Sequence, residues 1–337
     1  MMTETPDNVP EVSVVIPTRN RSDLLVEVIE SLWKQTFDPG KFEIIVTDNC
    51  STDDTLEVAR SLQERSPCAF RYHRMEEDRG PAFSRNKGVE MARGPIIAFT
   101  DSDCRADPRW LQLGVAALAD QEVAFVTGSV LDKPEQPVKF FTRTNSGVTS
   151  EHASYPTCNA MYRREVFLEM GGFDGDLCFC DIFNRVNECA DTDLAWRVKE
   201  KGYGNVFVPE MTIYHEVETQ PWWTWMREPY RLWLAPAIVR RHPAIRDQLL
   251  IWGLFFCKEN VLFYLMIMGF ILGPALHWGF ALLAVPFLLW AATAGGVRLS
   301  PMGLLKMPAR AALLTARQAF MCAGLIYGSV RFRALVL

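Results

Sequence analysis

The sequence lacks several features that would assign it to a class at once. Its nine cysteines include no Cys-x-x-Cys pair, so neither a paired-cysteine zinc site nor a dithiol redox motif is indicated. No G-x-G-x-x-G turn follows the first strand-like run, and no Walker A loop is present, which argues against those two nucleotide-binding motifs. The first twenty residues contain no apolar signal region. We therefore expect reduced thiols and a cytosolic N-terminal portion.

The composition is that of a folded protein with two different ends. The 337 residues are 49% apolar and 22% charged, which excludes disordered chains, collagens and disulfide miniproteins, and the length suggests roughly two domains. The net charge of -5 is unevenly distributed. Before Pro221 there are 23 Lys and Arg against 37 Asp and Glu, whereas from Pro221 onward there are 12 against 3. The two ends are expected to face different surroundings.

Short apolar runs alternate with helical patterns over the first 130 residues. Alternation of this kind predicts an α/β fold with a parallel, doubly wound sheet, which binds ligands at the carboxyl ends of its strands. The pattern predicts strands at Val12–Ile16, Glu43–Val46, Phe70–His73 and Pro95–Thr100, and helices at Ser22–Gln35, from Ser51 or Thr52 onward, and at Pro81–Met91.

The composition changes at Gln220. Tryptophans and arginines are interleaved over the next twenty residues, which is typical of a segment in the lipid headgroup region. An aromatic surface that packs on the globular domain is the alternative. We predict an N-terminal globular domain at 1–219, the candidate for ligand binding at the sheet, and amphipathic interfacial helices at 220–259.

The remaining residues, 260–337, contain long apolar runs. No charged residue occurs from Asn260 to Val297, a stretch of 38 residues, and a helix needs only about 20 to cross a bilayer. A transmembrane hairpin is predicted at about 261–297, and a third apolar segment at about 319–330. Arginine and lysine, including Arg298 and Lys306, flank the hairpin, so we expect a plasma-membrane protein whose domain at 1–219 is cytoplasmic.

The sequence Asp101-Ser102-Asp103 directly follows the predicted strand Pro95–Thr100. Two carboxylates at positions i and i+2 can bind a hard divalent cation that keeps open positions for phosphate oxygens. Such a cation offsets the negative charge that grows on a diphosphate leaving group. Aspartate is common in turns, so the location after a buried strand is what favours a metal site.

Five polar or glycine-containing stretches occur in the order Val12–Asn20, Ile45–Asp53, Ser84–Gly88, Asp101–Asp103 and Gly171–Asp174. In this order they resemble the motifs of family 2 glycosyltransferases. The resemblance extends over about residues 10–216 and implies the GT-A nucleotide-diphospho-sugar transferase fold, with a Rossmann-like mixed sheet. It also implies transfer of sugar from a nucleotide donor with a divalent metal, Mg²⁺ or Mn²⁺, and inversion of the anomeric centre.

The resemblance also implies roles for individual residues. Asp103 would bind the metal, with Asp101 on the ribose and metal and His215 near both metal and diphosphate. Asn159 would flank the donor sugar and the acceptor. The alternatives are that Asp48 forms a turn, that Arg85 lies on a solvated helix face and that His215 has a structural role. The residues implied on the donor nucleotide are Pro17, Thr18, Asn20, Asp48, Arg85, Asp101 and Ser102.

The family places its catalytic base in a Glu-Asp pair that opens a helix. This chain has Ala190-Asp191 at that point, so the Glu is absent and the Asp remains. Asp191 can accept the proton of the acceptor hydroxyl, although a plain helix N-cap is the alternative. Asp193 is a second candidate base. The Q-x-x-R-W motif of processive relatives is absent, which favours transfer of a single sugar.

The sequence thus predicts a nucleotide-sugar donor, a lipid-linked or glycan acceptor, contact with membrane lipids and no nucleic-acid partner. A rival interpretation is a catalytically inactive nucleotide-sugar-binding membrane subunit, suggested by Ala190. A nucleotidyltransferase is a further rival, but it should have a glycine-rich basic loop after the first strand, and residues 18–21 contain no glycine.

Overall fold

The computed structural model describes residues 9–144, 147–294 and 301–337. The chain divides into two compact units. Unit 1 comprises Met1–Val138 and Thr144–Glu218, and unit 2 comprises Lys139–Arg143 and Thr219–Leu337. A short piece from the middle of the sequence therefore groups with the C-terminal third.

Unit 1 is built on an eight-stranded mixed sheet with the order β3-β2-β1-β4-β8-β6-β11-β5. The parallel, doubly wound arrangement holds for β3, β2, β1 and β4, whereas β8 is antiparallel to both of its neighbours. The strands of the chain are β1 Val12–Thr18, β2 Phe42–Asp48, β3 Ala69–Arg74, β4 Ile96–Phe99, β5 Cys104–Ala106, β6 Val123–Asp132, β7 Thr142–Arg143, β8 Ala160–Arg163, β9 Cys178–Cys180, β10 Val186–Glu188, β11 Gly204–His215 and β12 Glu218–Thr219.

Beyond the first four strands the sheet departs from the predicted parallel, doubly wound arrangement, because β8 runs antiparallel to β4 and β6. Alternation of strands and helices specifies parallel pairing only while each strand is followed by a crossover helix. That condition fails after β6, because the chain reaches β8 through a long loop with a 3₁₀ turn at Thr157–Asn159. The expected mixed α/β sheet is confirmed. All seven residues of β1 and of β2 are buried, as expected for central strands covered on both faces.

Helices cover this sheet closely. At Gly88 an added Cβ would lie 2.4 Å from a Val15 methyl group, so glycine is what allows helix α3 to pack directly on β1. This packing fixes the preceding turn of the helix above the sheet edge. The helices of unit 1 are α1 Ser22–Trp33, α2 Thr55–Arg65, α3 Pro81–Met91, α4 Trp110–Ala117, α5 Arg164–Glu169 and α6 Ala190–Glu200.

Unit 2 is helical and has a small apolar core. Phe263, Met266 and Phe287 are buried at its centre, and Phe140 and Phe141 pack on Trp225 with ring centroids 5.0 and 5.5 Å apart. Its elements are α7 Trp222–Arg227, α8 Ala235–Arg241, α9 Arg246–Leu249, α10 Lys258–Ala275, α11 Val285–Thr293 and α12 Pro301–Phe332, with 3₁₀ turns at Glu228–Leu234, Pro243–Ile245 and Trp278–Ala284.

The predicted apolar runs correspond to α10, to the turn and helix at 278–293, and to the last part of α12. Within the described ranges, none of the helices combines the length and the apolar character that a membrane crossing needs. The end of the predicted hairpin, residues 295–297, and Arg298 lie outside the described residues, as does the side chain of Lys306.

Candidate functional site

The ends of β1 and β2 lie side by side because these strands pair in parallel, with Thr18 opposite Asp48. The loop after β1 turns at Asn20, whose φ is +51°, a conformation that asparagine adopts more readily than most residues. Its backbone N–H donates to Ser51 Oγ at 2.8 Å, and its side-chain oxygen accepts from the Thr52 N–H at 2.7 Å. Asn20 therefore joins the two loops at this edge.

Asp48 is buried, and both of its oxygens are engaged by the protein. Oδ1 accepts from the backbone N–H and the hydroxyl of Ser51 at 2.9 and 2.5 Å, and Oδ2 accepts from the Tyr72 hydroxyl at 2.5 Å. Burial, together with this carboxylate, raises the pKa of Tyr72, so the phenol keeps the proton that it donates. The carboxylate predicted to contact the donor nucleotide thus shapes the loop beside the site.

The buried hydroxyls without a hydrogen-bond partner within the described residues include Thr18 Oγ1 and Thr100 Oγ1, which lie at the same edge. Thr18 ends β1, and Thr100 directly follows β4, the other neighbour of β1. A buried polar group without a partner costs about 1–3 kcal/mol. A ligand that forms hydrogen bonds with these hydroxyls would recover that cost. This agrees with the prediction that Pro17, Thr18 and Ser102 contact the donor nucleotide.

Arg85 lies one turn before Gly88 on α3 and is the central cation of the site. One of its terminal nitrogens donates to Asp101 Oδ1 at 2.8 Å, and the other donates to Glu188 Oε1 at 2.9 Å. Burial opposes ionisation of Asp101, but the Arg85 guanidinium outweighs it and lowers the pKa of that carboxyl. Arg85 therefore connects the end of β4 with the β9–β10 hairpin.

Three buried side chains, Asp103, Cys104 and His215, form a candidate metal centre. Antiparallel pairing of β5 with β11 places Cys104 opposite His215, and their potential ligand atoms and that of Asp103 all lie within 4.8 Å of one another. Asp103 Oδ1 is 3.5 Å from His215 Nε2 and 3.8 Å from Cys104 Sγ. Asp103 Oδ2 accepts from Arg21. Asp101, the other predicted ligand, lies outside this cluster.

The tautomer of His215 fits a metal ligand. Its Nδ1 is 2.9 Å from the carbonyl oxygen of Glu216. A carbonyl can only accept, so Nδ1 carries the proton and the lone pair of a neutral ring is on Nε2, which faces Asp103 Oδ1. Two electron-rich atoms at this distance need a cation between them or a proton on the ring. A backbone carbonyl behind a histidine is also the usual support of a metal-bound imidazole.

Asp191 is the second residue of α6 and is partly buried. Its Oδ1 accepts from the Thr192 N–H at 2.8 Å. Burial raises the pKa of Asp191 to about 6 and the charge of Glu188 acts in the same direction, while the Thr192 N–H and Arg85 oppose them. Asp101 also contributes to this shift, so Asp191 shares one electrostatic cluster with the carboxylate at the end of β4. A carboxyl with this pKa is ionised yet still basic at neutral pH.

Two other predicted residues are engaged by the fold itself. The Asn159 amide donates to the Ser129 and Met211 carbonyls at 2.8 Å each and accepts from Trp110 Nε1 at 2.8 Å. Asp193, the second candidate base, pairs with Arg197 at 2.8 Å. The structure therefore brings Arg85, Asp101 and Asp191 together, and separately Asp103 and His215, whereas Asn159 and Asp193 hold neighbouring segments.

Sequence reasoning missed Arg21, Cys104 and Glu188. Each stands within three residues of a motif that was recognised, after Asn20, after Asp103 and before Asp191. The carboxylate of Glu188 lies two positions before Ala190, where the family has Glu. An acidic residue within a few positions of Ala190, and not only at position 190 itself, was the signal that could have identified Glu188.

Comparison with known proteins gives two matching family profiles. Glycosyl transferase family 2 matches residues 13–174, and Glycosyl transferase family group 2 matches residues 96–295, which is more than half of the chain. The glycosyltransferase AglE of Haloferax volcanii is 33% identical over 147 residues, which cover 42% of this chain and 43% of AglE. The glucosyl-dolichyl phosphate glucuronosyltransferase of the same organism is 30% identical over 179 residues, covering 49% of this chain and 56% of that protein.

Solved structures show the same fold. A mannosyltransferase from Pyrobaculum calidifontis, in complex with GDP-Man and Mn²⁺, aligns with a TM-score of 0.57 at 23% identity over 97% of this chain and 88% of that one. At this identity the likeness establishes the fold. The chain spans about half the length of the curated relatives described above.

Proposed function

The chain belongs to glycosyl transferase family group 2, and from this membership we propose that it transfers a single sugar from a nucleoside-diphosphate sugar to an acceptor hydroxyl, with inversion at the anomeric carbon. The observation that carries the proposal is the position of Asp191. This carboxylate, with a raised pKa, shares one electrostatic cluster with Arg85, Glu188 and Asp101 at the carboxyl end of β4.

The proposed single displacement needs a base. Asp191 accepts the proton of the acceptor hydroxyl as that oxygen attacks the anomeric carbon from the face opposite the diphosphate, and the bond to the leaving oxygen breaks. Attack from the opposite face inverts the centre. The helix start at Ala190 supports this role, because the Thr192 N–H holds Oδ1 and orients the carboxylate.

The donor set fits a divalent cation, with Asp103 and His215 as protein ligands and Asp101 beside them. When bound, Mg²⁺ or Mn²⁺ would supply charge that stabilises the departing diphosphate. Arg21 holds the second oxygen of Asp103, so this carboxylate keeps a fixed orientation. Thr18 and Thr100 provide hydroxyls for the nucleotide side.

The proposed acceptor is a lipid-linked saccharide, in cell-surface polysaccharide or glycolipid synthesis at the cytoplasmic face of the plasma membrane. Two features support it. Unit 2 exposes large apolar side chains, including Trp222, Trp223 and Trp252, among many arginines, and one relative is named for a dolichyl phosphate-linked substrate. An enzyme attached to the membrane gains effective concentration toward a membrane substrate.

The experiment that tests this function is a thermal-shift panel of nucleotide sugars with and without Mg²⁺ or Mn²⁺. A ligand that binds the native state raises the apparent melting temperature. We expect one nucleotide-sugar class to stabilise the protein only with the metal, followed by metal-dependent release of nucleoside diphosphate when an acceptor is added. Stabilisation without any transfer to lipid-linked or glycan acceptors would support an inactive binding subunit instead.

A further inference from the structure

Cys104 has no role in the proposed sugar transfer, and its thiol is a softer metal ligand than the oxygen and nitrogen atoms that the transfer uses. Magnesium sites are built from oxygen ligands, and thiolates select softer metals such as Zn²⁺. Yet the Cys104 sulfur lies in the same buried cluster as Asp103 and His215. From this we propose that Asp103 Oδ1, Cys104 Sγ and His215 Nε2 form a three-ligand site for thiophilic divalent cations, of which Zn²⁺ is the representative.

The distances between these atoms agree with that proposal. Zn–O, Zn–N and Zn–S bonds of about 2.0–2.3 Å at tetrahedral angles place pairs of ligand atoms roughly 3.3–3.6 Å apart. The structure has 3.5 Å between Asp103 Oδ1 and His215 Nε2, and 3.8 Å between Asp103 Oδ1 and Cys104 Sγ. These two distances are within a few tenths of an ångström of that range, and the third pair, Cys104 Sγ and His215 Nε2, lies within 4.8 Å.

The surroundings hold each ligand in place. The Glu216 carbonyl fixes the His215 tautomer, and the Glu216 side chain is itself bound by Lys133 at 2.8 Å and Gln136 at 2.6 Å. The β5–β11 pairing fixes Cys104. Hydrogen-bonded support behind metal ligands commonly contributes 10- to 100-fold in affinity.

The charges also balance. On binding, the Cys104 S–H bond breaks, its proton passes to the buffer and a zinc–sulfur bond forms. The carboxylate of Asp103 and the thiolate then offset the two charges of the cation, and the Arg21 guanidinium on Asp103 faces the further negative charge of Asp101. Three protein ligands leave one position of a tetrahedral ion open. The metal site itself does not depend on the proposed function. Its consequence does, since a thiophilic ion bound to Asp103 and His215 would inhibit sugar transfer.

The test is titration of the full chain with Co²⁺, which reports thiolate ligation through a charge-transfer absorption in the near ultraviolet. We expect the band in the wild type and in two thiol controls, Cys158→Ser, a buried neighbour of Cys104, and Cys180→Ser, which is exposed. Cys104→Ser should lose it. A band that persists in Cys104→Ser, or that disappears in either control, overturns the proposal.

Calorimetry of Zn²⁺ binding in two buffers of different ionisation enthalpy supplies the second measurement. About one proton should be released per Zn²⁺ by the wild type and none by Cys104→Ser, whose affinity should fall by about 10-fold or more. Should that variant fail to fold, His215→Gln decides, since unchanged zinc affinity there excludes the site. Failure of the proposed function would appear differently, as a wild-type protein that binds Co²⁺ through Cys104 but transfers no sugar.

Discussion

The two units use buried charge in opposite ways. In unit 1 a single guanidinium, Arg85, serves the two carboxylates of Asp101 and Glu188. In unit 2 a single buried carboxylate, Glu228, is approached by three arginines. Negative charge is thus in excess at the unit 1 site and positive charge in excess around Glu228. The first arrangement leaves net negative charge next to the candidate metal centre, and the second suits an anionic surface.

The exposure of apolar side chains also differs between the two units. The sheet of unit 1 buries its central strands completely. Unit 2 leaves aromatic and aliphatic side chains exposed, with Trp252 and Trp278 at 80% and 74%. Large exposed apolar patches beside arginine are typical of surfaces that meet a membrane or a partner. We therefore propose that unit 1 carries out the reaction and that unit 2 attaches the protein to the membrane, and the following substitutions test that division.

The largest effect is expected at Asp191. Asp191→Asn removes the base but keeps the shape of the side chain, so kcat should fall by about 10²- to 10⁴-fold. Donor affinity in the thermal-shift assay should be unchanged. Because its surroundings disfavour the charged form, the melting temperature should stay the same or rise. Asp54→Asn, an exposed aspartate at the start of α2, is the matched control, and a kcat equal to that control excludes Asp191 as the base.

Glycine substitutions should separate the units. At Gly328 on α12 an added Cβ would lie 2.0 Å from the Trp233 carbonyl oxygen, and at Gly128 on β6 it would lie 1.9 Å from that of Met211. Forced overpacking costs about 1–3 kcal/mol or more. Gly328→Ala should weaken vesicle binding while nucleotide-sugar binding persists, and Gly128→Ala should do the reverse.

The control for these variants is Gly273→Ala on α10, where the nearest atoms are 3.7 Å away and a small effect is expected. Binding and thermal melting are measured for all three proteins. If both destabilising variants lose both activities to the same extent, the units do not act separately.

The sequence predicted the first half of unit 1 well because local signals are strong there. Continuous apolar runs predicted β1 and β2, and helical patterns predicted α1 and α3, each to within about two residues of the observed ends, because both signals are local in the sequence. The antiparallel β8 could not be predicted in this way. Its pairing depends on a long connection and on contacts remote in sequence, which local periodicity does not encode.

The site was predicted in part for the same reason. Residues at strand ends, such as Asp101 and Asp103, are located by the strands before them. The partner of each carboxylate is a tertiary contact. No local sequence pattern indicates that Arg85 pairs with Glu188, more than a hundred residues later. Nor does one indicate that the Asn159 amide forms hydrogen bonds with three buried groups. The sequence can identify the acids and bases but not their pairings.

The exposed tryptophans of α7 provide the third test. Trp222 and Trp223 are 49% and 48% exposed. Trp222→Ser combined with Trp223→Ser should weaken binding to vesicles that contain anionic lipid by about tenfold, because each side chain loses apolar area that would otherwise leave water. Sugar transfer to a short soluble acceptor should be retained.

Ile182→Ser is the matched control for this pair, because Ile182 is 65% exposed but lies in unit 1. Co-sedimentation measures binding for both variants. Equal loss in the control and the tryptophan variant would mean that attachment is not a property of unit 2.

The smallest effect is expected at Glu188, and it tests how unit 1 handles its excess of negative charge. Glu188 raises the pKa of Asp191, which is about 6, so Glu188→Gln should lower it. Asp191 is active when ionised, and activity is lost as the pH falls through this pKa. The acidic limb of the kcat profile should therefore move to lower pH, by up to about one unit. Glu165→Gln, on the exposed side of α5, should leave the limb in place. If the limb moves to higher pH instead, the main effect of Glu188 is to hold Arg85 near Asp191, and not to disfavour proton loss from Asp191 by charge repulsion.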